Sequence, residues 1–67
     1  MITLQVNGQA LQVNAPMTAA QLIEHLDLSG KRVALERNGE IVPKSLFKQQ
    51  RLEDGDLLEI VAAVGGG

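Results

Sequence analysis

The dipeptide Asn-Gly stands twice in this chain, at Asn7-Gly8 and Asn38-Gly39, each time between short runs in which apolar and polar residues alternate. Both residues tolerate the positive φ that a two-residue type I′ turn requires, and the twist of that turn matches the strands it joins. Ile2, Leu4 and Val6 therefore share one face of a first strand, and Leu11 and Val13 return beside it. Residues 1–14 read as a hairpin. Val33 and Leu35, alternating with Ala34 and Glu36, lead through the second turn into Glu40, Ile41 and Val42, and Pro43 stops this shorter hairpin.

Between the hairpins, Pro16 ends the second strand, and Thr18 followed three places later by Gln21 has the form of a capping box. Ala19, Leu22, Ile23 and Leu26 then recur at helical spacing, which predicts an amphipathic helix of about ten residues. A glycine cap at Ser29-Gly30 is expected to close it. Residues 44–50 are polar apart from Leu46 and Phe47, a pattern that suits one short helical turn pinned to the core. Glu53-Asp54-Gly55-Asp56 marks a solvated turn, and residues 57–61 form the last strand.

The order ββαβββ is that of the β-grasp fold, an α+β architecture in which a mixed five-stranded sheet packs on one main helix. The final strand is expected at the centre, parallel to the first. Leu58 and Ile60 then face the helix, and Leu57, Glu59 and Val61 lie on the open face; a slip of one residue exchanges the two sets. Residues 1–63 are the expected domain and residues 64–67 a glycine-rich tail.

A 67-residue chain buries only about 60% of the surface its unfolded form exposes. That leaves little room for the cavity of ~300–1,000 Å³ typical of a small-molecule enzyme. The net charge of −2 supplies no basic field for phosphate backbones, and one Phe with no Tyr or Trp gives bases almost nothing to stack on. The absence of cysteine excludes a disulfide, a thiolate metal site and a cysteine nucleophile. The chain opens directly on a strand pattern and has no long apolar run, so a cytoplasmic protein without a membrane role is expected.

Internal chemistry is sparse. His25 beside Glu24 is the only histidine and reads as an ordinary helix residue, with no second histidine for a metal site. Ser29 and Ser45 lack an evident base. The carboxylates Glu53, Asp54 and Asp56 belong to the turn rather than to a cation site. No catalytic residue, resident metal or bound cofactor is expected.

What remains is the end of the chain, where Gly65, Gly66 and Gly67 follow Val64. Glycine loses the most entropy on ordering, so this stretch is expected to stay mobile in isolation. An ordinary frayed end accounts for that as readily as a function does. The functional alternative begins with the carboxylate of Gly67, a poor electrophile until ATP converts it to an acyl adenylate whose AMP can depart. Such an intermediate needs shielding from water, hence a narrow channel. Glycines, lacking Cβ, enter where any side chain would collide. Val64, Gly65 and Gly66 are then the thread, Gly67 the modified residue, and catalysis belongs to the partner.

Three blocks together, VALERNGEIVPKS at 33–45, LEDGDLLEIV at 52–61 and VGGG at 64–67, resemble the ThiS family, the sulfur carriers of thiamine biosynthesis in the ubiquitin-like superfamily. The resemblance runs from end to end. It implies that a partner of the ubiquitin-activating class, using ATP and magnesium, adenylates Gly67, that a cysteine persulfide donates sulfur, and that a thiocarboxylate passes to thiazole synthase. Phe47 and Ala62-Ala63 depart from what the family leads one to expect. Phe47, Leu57 and Val61 are the candidates for partner contact. The small subunit of molybdopterin synthase, a ubiquitin-like modifier conjugated to lysines, and a β-grasp binding module without tail chemistry stand as alternatives.

Overall fold

The computed structural model describes residues 1–63. Strands β1 (Ile2–Val6) and β2 (Gln9–Val13) precede helix α1 (Ala19–His25), then come β3 (Val33–Arg37), β4 (Glu40–Val42), a 3-10 turn (Lys44–Leu46) and β5 (Leu57–Ala62). The sheet order is β2-β1-β5-β3-β4, with β1 parallel to β5 and every other neighbour antiparallel. This is the expected ββαβββ architecture. Both Asn-Gly turns adopt positive φ at each residue, 50° and 83° at Asn7-Gly8 and 51° and 85° at Asn38-Gly39, as type I′ geometry demands. Among the described residues no helix is long and apolar enough to cross a membrane.

The helix starts as the sequence predicts. Gln21 N–H donates to Thr18 Oγ1 at 3.2 Å and Thr18 N–H donates to Gln21 Oε1 at 2.8 Å, a complete capping box. The other exposed donors of the first turn are met by the segment after β4: Ala19 N–H donates to Gln50 O and Ala20 N–H to Phe47 O. That segment is thereby strapped to the helix, and Phe47, only 8% exposed, fills the core beneath it. Phe47 is therefore withdrawn from the candidate partner surface, since packing on the helix hides it. The 3-10 turn instead leaves its neighbour Leu46 outside.

The helix ends earlier than the sequence suggests. It closes after seven residues, with Asp27 at φ 60° as its left-handed cap, three residues before Gly30, which is itself at φ 83°. Leu28 N–H donates to Ile23 O at 2.9 Å and Asp27 N–H to Glu24 O at 3.0 Å, the two bonds of a Schellman motif. Aspartate occupies that conformation more readily than most residues. Gly30 serves the following turn.

Leu4, Leu22, Leu35 and Leu58 are the largest side chains wholly inside, one each from β1, α1, β3 and β5. They mark the layer between helix and sheet. Leu58 and Ile60 face it as expected, leaving Leu57 and Val61 on the open face.

β5 is held by side chains as well as by strands. Pairing with β1 covers only Leu57 and Leu58. Beyond it the carboxamide of Asn7 acts as a further strand residue: Ile60 N–H donates to Asn7 Oδ1 at 2.8 Å, and Asn7 Nδ2 donates to Ile60 O at 3.0 Å. On the other edge, Leu57 N–H donates to Asn38 Oδ1 at 2.9 Å and Asn38 N–H to Leu57 O at 2.7 Å. Each turn asparagine thus also clamps β5.

The turn before β5 is not the solvated acidic loop expected from sequence. Asp56 is 5% exposed. Its carboxylate accepts from Arg37 Nε at 2.7 Å, from Glu53 N–H at 2.8 Å and from Asn38 Nδ2 at 3.2 Å. Glu53 and Asp54 do remain exposed, and Asp54 Oδ1 accepts from Thr3 N–H at 2.7 Å. Burial pushes the Asp56 carboxyl up, but the bonds from Arg37, Glu53 N–H and Asn38, with the Arg37 charge, outweigh it and hold the group below the usual carboxylate range. The same contact with Asp56 raises Arg37.

Two expectations follow. Because the folded state depresses Asp56, the unfolded chain binds more protons in acid, so stability falls as pH drops through about 4 toward the lower folded value. Denaturant melts across pH should show this slope in the wild type and a shallower one in Asp56→Asn, while Asp56→Ala should cost about 3 kcal/mol at neutral pH. Asn7→Gly keeps the turn and removes both bonds to Ile60, so a loss of about 1–2 kcal/mol is expected. Faster hydrogen exchange at the Ile60 amide should accompany it.

Candidate functional site

The site expected from sequence is the stretch that follows β5. Gly67, the residue expected to be modified, and Val64, Gly65 and Gly66, the expected thread, lie outside the described residues. The structure supplies their root. Ala62 pairs with Val33, and Ala63 N–H donates to Arg32 O at 2.8 Å, so β3 accompanies the chain to residue 63. On the opposite edge, the Asn7 clamp ends at Ile60.

The face away from the helix is organised by the strand register. One row across β4, β3 and β5 reads Ile41, Glu36, Glu59, and the next row toward the end of β5 sets Ala34 opposite Val61. Leu57 begins β5 on the same face, beside Gln5 of β1. Exposure is high at the apolar members: 58% for Leu57, 67% for Val61 and 75% for Ile41. Leu57 and Val61, the candidates for partner contact that the sequence offers, both stand exposed on this face. Ile41 is a third such residue, not among those candidates. Its alternation with Val42 in the second hairpin was the available signal, because Val42 is the inward residue.

A shallow hollow of about 350 Å³ lies beside the root of the tail, lined by Val61, Ala63, Val33 and Ala34 with Arg32 and Lys44. A second, of about 420 Å³, lies on the helix side between the first hairpin and the end of α1, where Leu11, Leu26 and Leu28 meet Ile60 and Ala62. Both are open and mainly apolar. Neither brings a nucleophile together with a base. His25 is exposed on the helix, and among the described residues no three His, Cys, Asp or Glu side chains stand close enough to hold a metal ion. What the described residues offer is a strand bonded on both edges that leads to residue 63, with an apolar and charged face beside it.

Known proteins resemble this chain in sequence and in fold. A thiazole synthase of Paramagnetospirillum magneticum is 48% identical over 64 residues, 96% of this chain; the chain spans only 20% of that protein's length. The sulfur carrier protein ThiS of Bacillus subtilis is 38% identical over 65 residues and is matched over 98% of its own length. The crystal structure of the thiamine biosynthesis protein ThiS from Geobacter metallireducens superposes with a TM-score of 0.81 at 29% identity, covering 98% of this chain and 100% of that one. The family model for ThiS matches residues 4–67, from the first strand through the terminal glycines. The chain belongs to the ThiS family, the sulfur carriers of thiamine biosynthesis.

Proposed function

We propose that this protein carries sulfur as a thiocarboxylate on Gly67 and delivers it for thiazole formation. The observation that carries the reading is the family match, which extends through Gly67, on a chain whose central strand leads directly into the glycine thread. The reading requires Gly67 to be the terminal residue when the protein acts. Its carboxylate attacks ATP, magnesium-bound in a partner of the ubiquitin-activating class, releasing pyrophosphate and forming an acyl adenylate. The outer sulfur of a cysteine persulfide then displaces AMP. Cleavage of that sulfur–sulfur bond by a thiol leaves the thiocarboxylate, the thiol being oxidised to a disulfide.

The division of labour follows from the body's size. A 67-residue chain has no room for an enclosed active site, so water exclusion falls to the partner's channel. Residues 64–67 pass into that channel, where the missing Cβ of Gly65 and Gly66 lets the backbone approach the reacting groups. Leu57, Val61 and Ile41 form the surface that docks outside. Thiazole synthase is proposed as recipient because a protein of that name contains a segment 48% identical to this chain.

Intact-mass spectrometry of the protein from thiamine-producing cells should find a fraction heavier by the difference between sulfur and oxygen, localised to Gly67. A carrier lacking that fraction while its cells make thiazole would overturn the reading. Adding one residue beyond Gly67 should abolish partner-dependent ATP–pyrophosphate exchange with the unfolding midpoint unchanged. Gly66→Val should lower the exchange rate by about a hundredfold through misplacement in the channel, again with the fold intact.

A further inference from the structure

The charges on the open face are sorted along its length. At the end where the tail leaves, Arg32 and Lys44 flank the hollow that contains Val61. Both are exposed, and among the described residues neither takes part in an ion pair, the only bridges being those of Arg37. Two residues back along β5, about 7 Å away, Glu59 stands directly opposite Glu36. Like charges so placed oppose each other across a sheet. Ile41 lies next to Glu36 in the same row, so the carboxylates sit beside an exposed apolar side chain. The face therefore has a positive end at the tail and a negative end away from it, with Val61 and Ile41 supplying apolar contact.

We propose that this charge order sets how the adenylating partner grips the protein. That partner presents carboxylates at the mouth of its tail channel, over Arg32 and Lys44, and a cationic side chain farther out, between Glu36 and Glu59. Only one orientation on the face satisfies both ends, and that orientation aims the root of the tail at the channel. A docking rotated by half a turn sets like charges against each other. Complementary potential acts mainly on encounter rate and on rejection of wrong poses. The inference rests on the carrier reading and specifies the surface chemistry of its first partner.

The test uses the full-length protein and the adenylating enzyme of the same organism, identified by wild-type-dependent ATP–pyrophosphate exchange. The double variant Arg32→Glu, Lys44→Glu should raise the half-saturating carrier concentration about tenfold or more, with little change in maximal rate and weaker dependence on salt. Glu36→Lys separates this role from a structural one. It removes the repulsion from Glu59, so the unfolding midpoint should rise, yet the half-saturating concentration should rise as well. If both variants saturate the enzyme within twofold of wild type, while extension beyond Gly67 still abolishes exchange, the charge assignment is wrong and the carrier reading stands. If the extended protein is activated normally, the carrier reading itself fails. A defect seen only in sulfur delivery to thiazole synthase, with exchange unaffected, overturns the assignment of this face to the adenylating partner.

Discussion

A strand in the middle of a sheet needs partners on both edges, and β5 finds them on two hairpins separated in sequence by a helix. β1 accepts it in parallel and β3 in antiparallel orientation. Neither hairpin bonds to the other as a neighbour in the sheet, so β5 is the element that makes one sheet of them. The asparagines of both turns take part in this. The asparagine side chain carries a donor and an acceptor side by side: that of Asn7 spans the N–H and C=O of Ile60, and that of Asn38 accepts from Leu57 N–H while donating to the Asp56 carboxylate. Asp56 completes the arrangement from below, tying the start of β5 to Arg37 and Asn38. β5 is thereby held on both edges, by side chains as well as by neighbouring strands.

The fold was legible in the sequence because its signals were local and agreed with one another. Alternation placed Leu4, Leu35 and Leu58 on the inner face, the Asn-Gly pairs fixed the turns, and Thr18 with Gln21 fixed the helix start. What escaped depends on contacts between residues far apart in the chain. Asp56 reads as one more acid in a polar turn until Arg37, 19 positions away, is brought against it. Asn7 reads as a turn former, because its second role involves Ile60, 53 positions on. Phe47 is adjacent to Leu46 in a polar stretch, and only the docking of that stretch on the helix N-terminus decides which of the two is buried. The end of the helix was misplaced for a different reason: glycine is the commoner left-handed cap, and here Asp27 takes the position three residues earlier.

The candidate site divides along the same line. Leu57 and Val61 were legible as open-face residues because β-strand alternation requires it once Leu58 and Ile60 are inward. Ile41 follows from the same alternation, opposite the inward Val42, but its place beside Glu36 and Glu59 comes from cross-strand register, and Arg32 and Lys44 join the face only where the fold brings them to the hollow around Val61. Proposals for a carrier's partner surface therefore depend more on the register of β3, β4 and β5 than on any motif.

The two faces of the sheet obey different rules. On the inner face every local choice agrees with the fold: apolar residues are inward, the helix termini are bonded, and the one buried carboxylate is fully partnered. On the outer face three large apolar side chains stand in water and two carboxylates oppose each other. A small domain has little stability with which to offset such features, and departures from local consistency are expected to gather where a protein binds or reacts. Here they spread along the open face of β3, β4 and β5, from Leu57 to Val61. Under the proposed function, in which a partner supplies the chemistry at Gly67, a strand held on both edges and carrying these mismatched apolar and charged groups is the surface by which the body is recognised, and a complementary surface placed over it would relieve both mismatches.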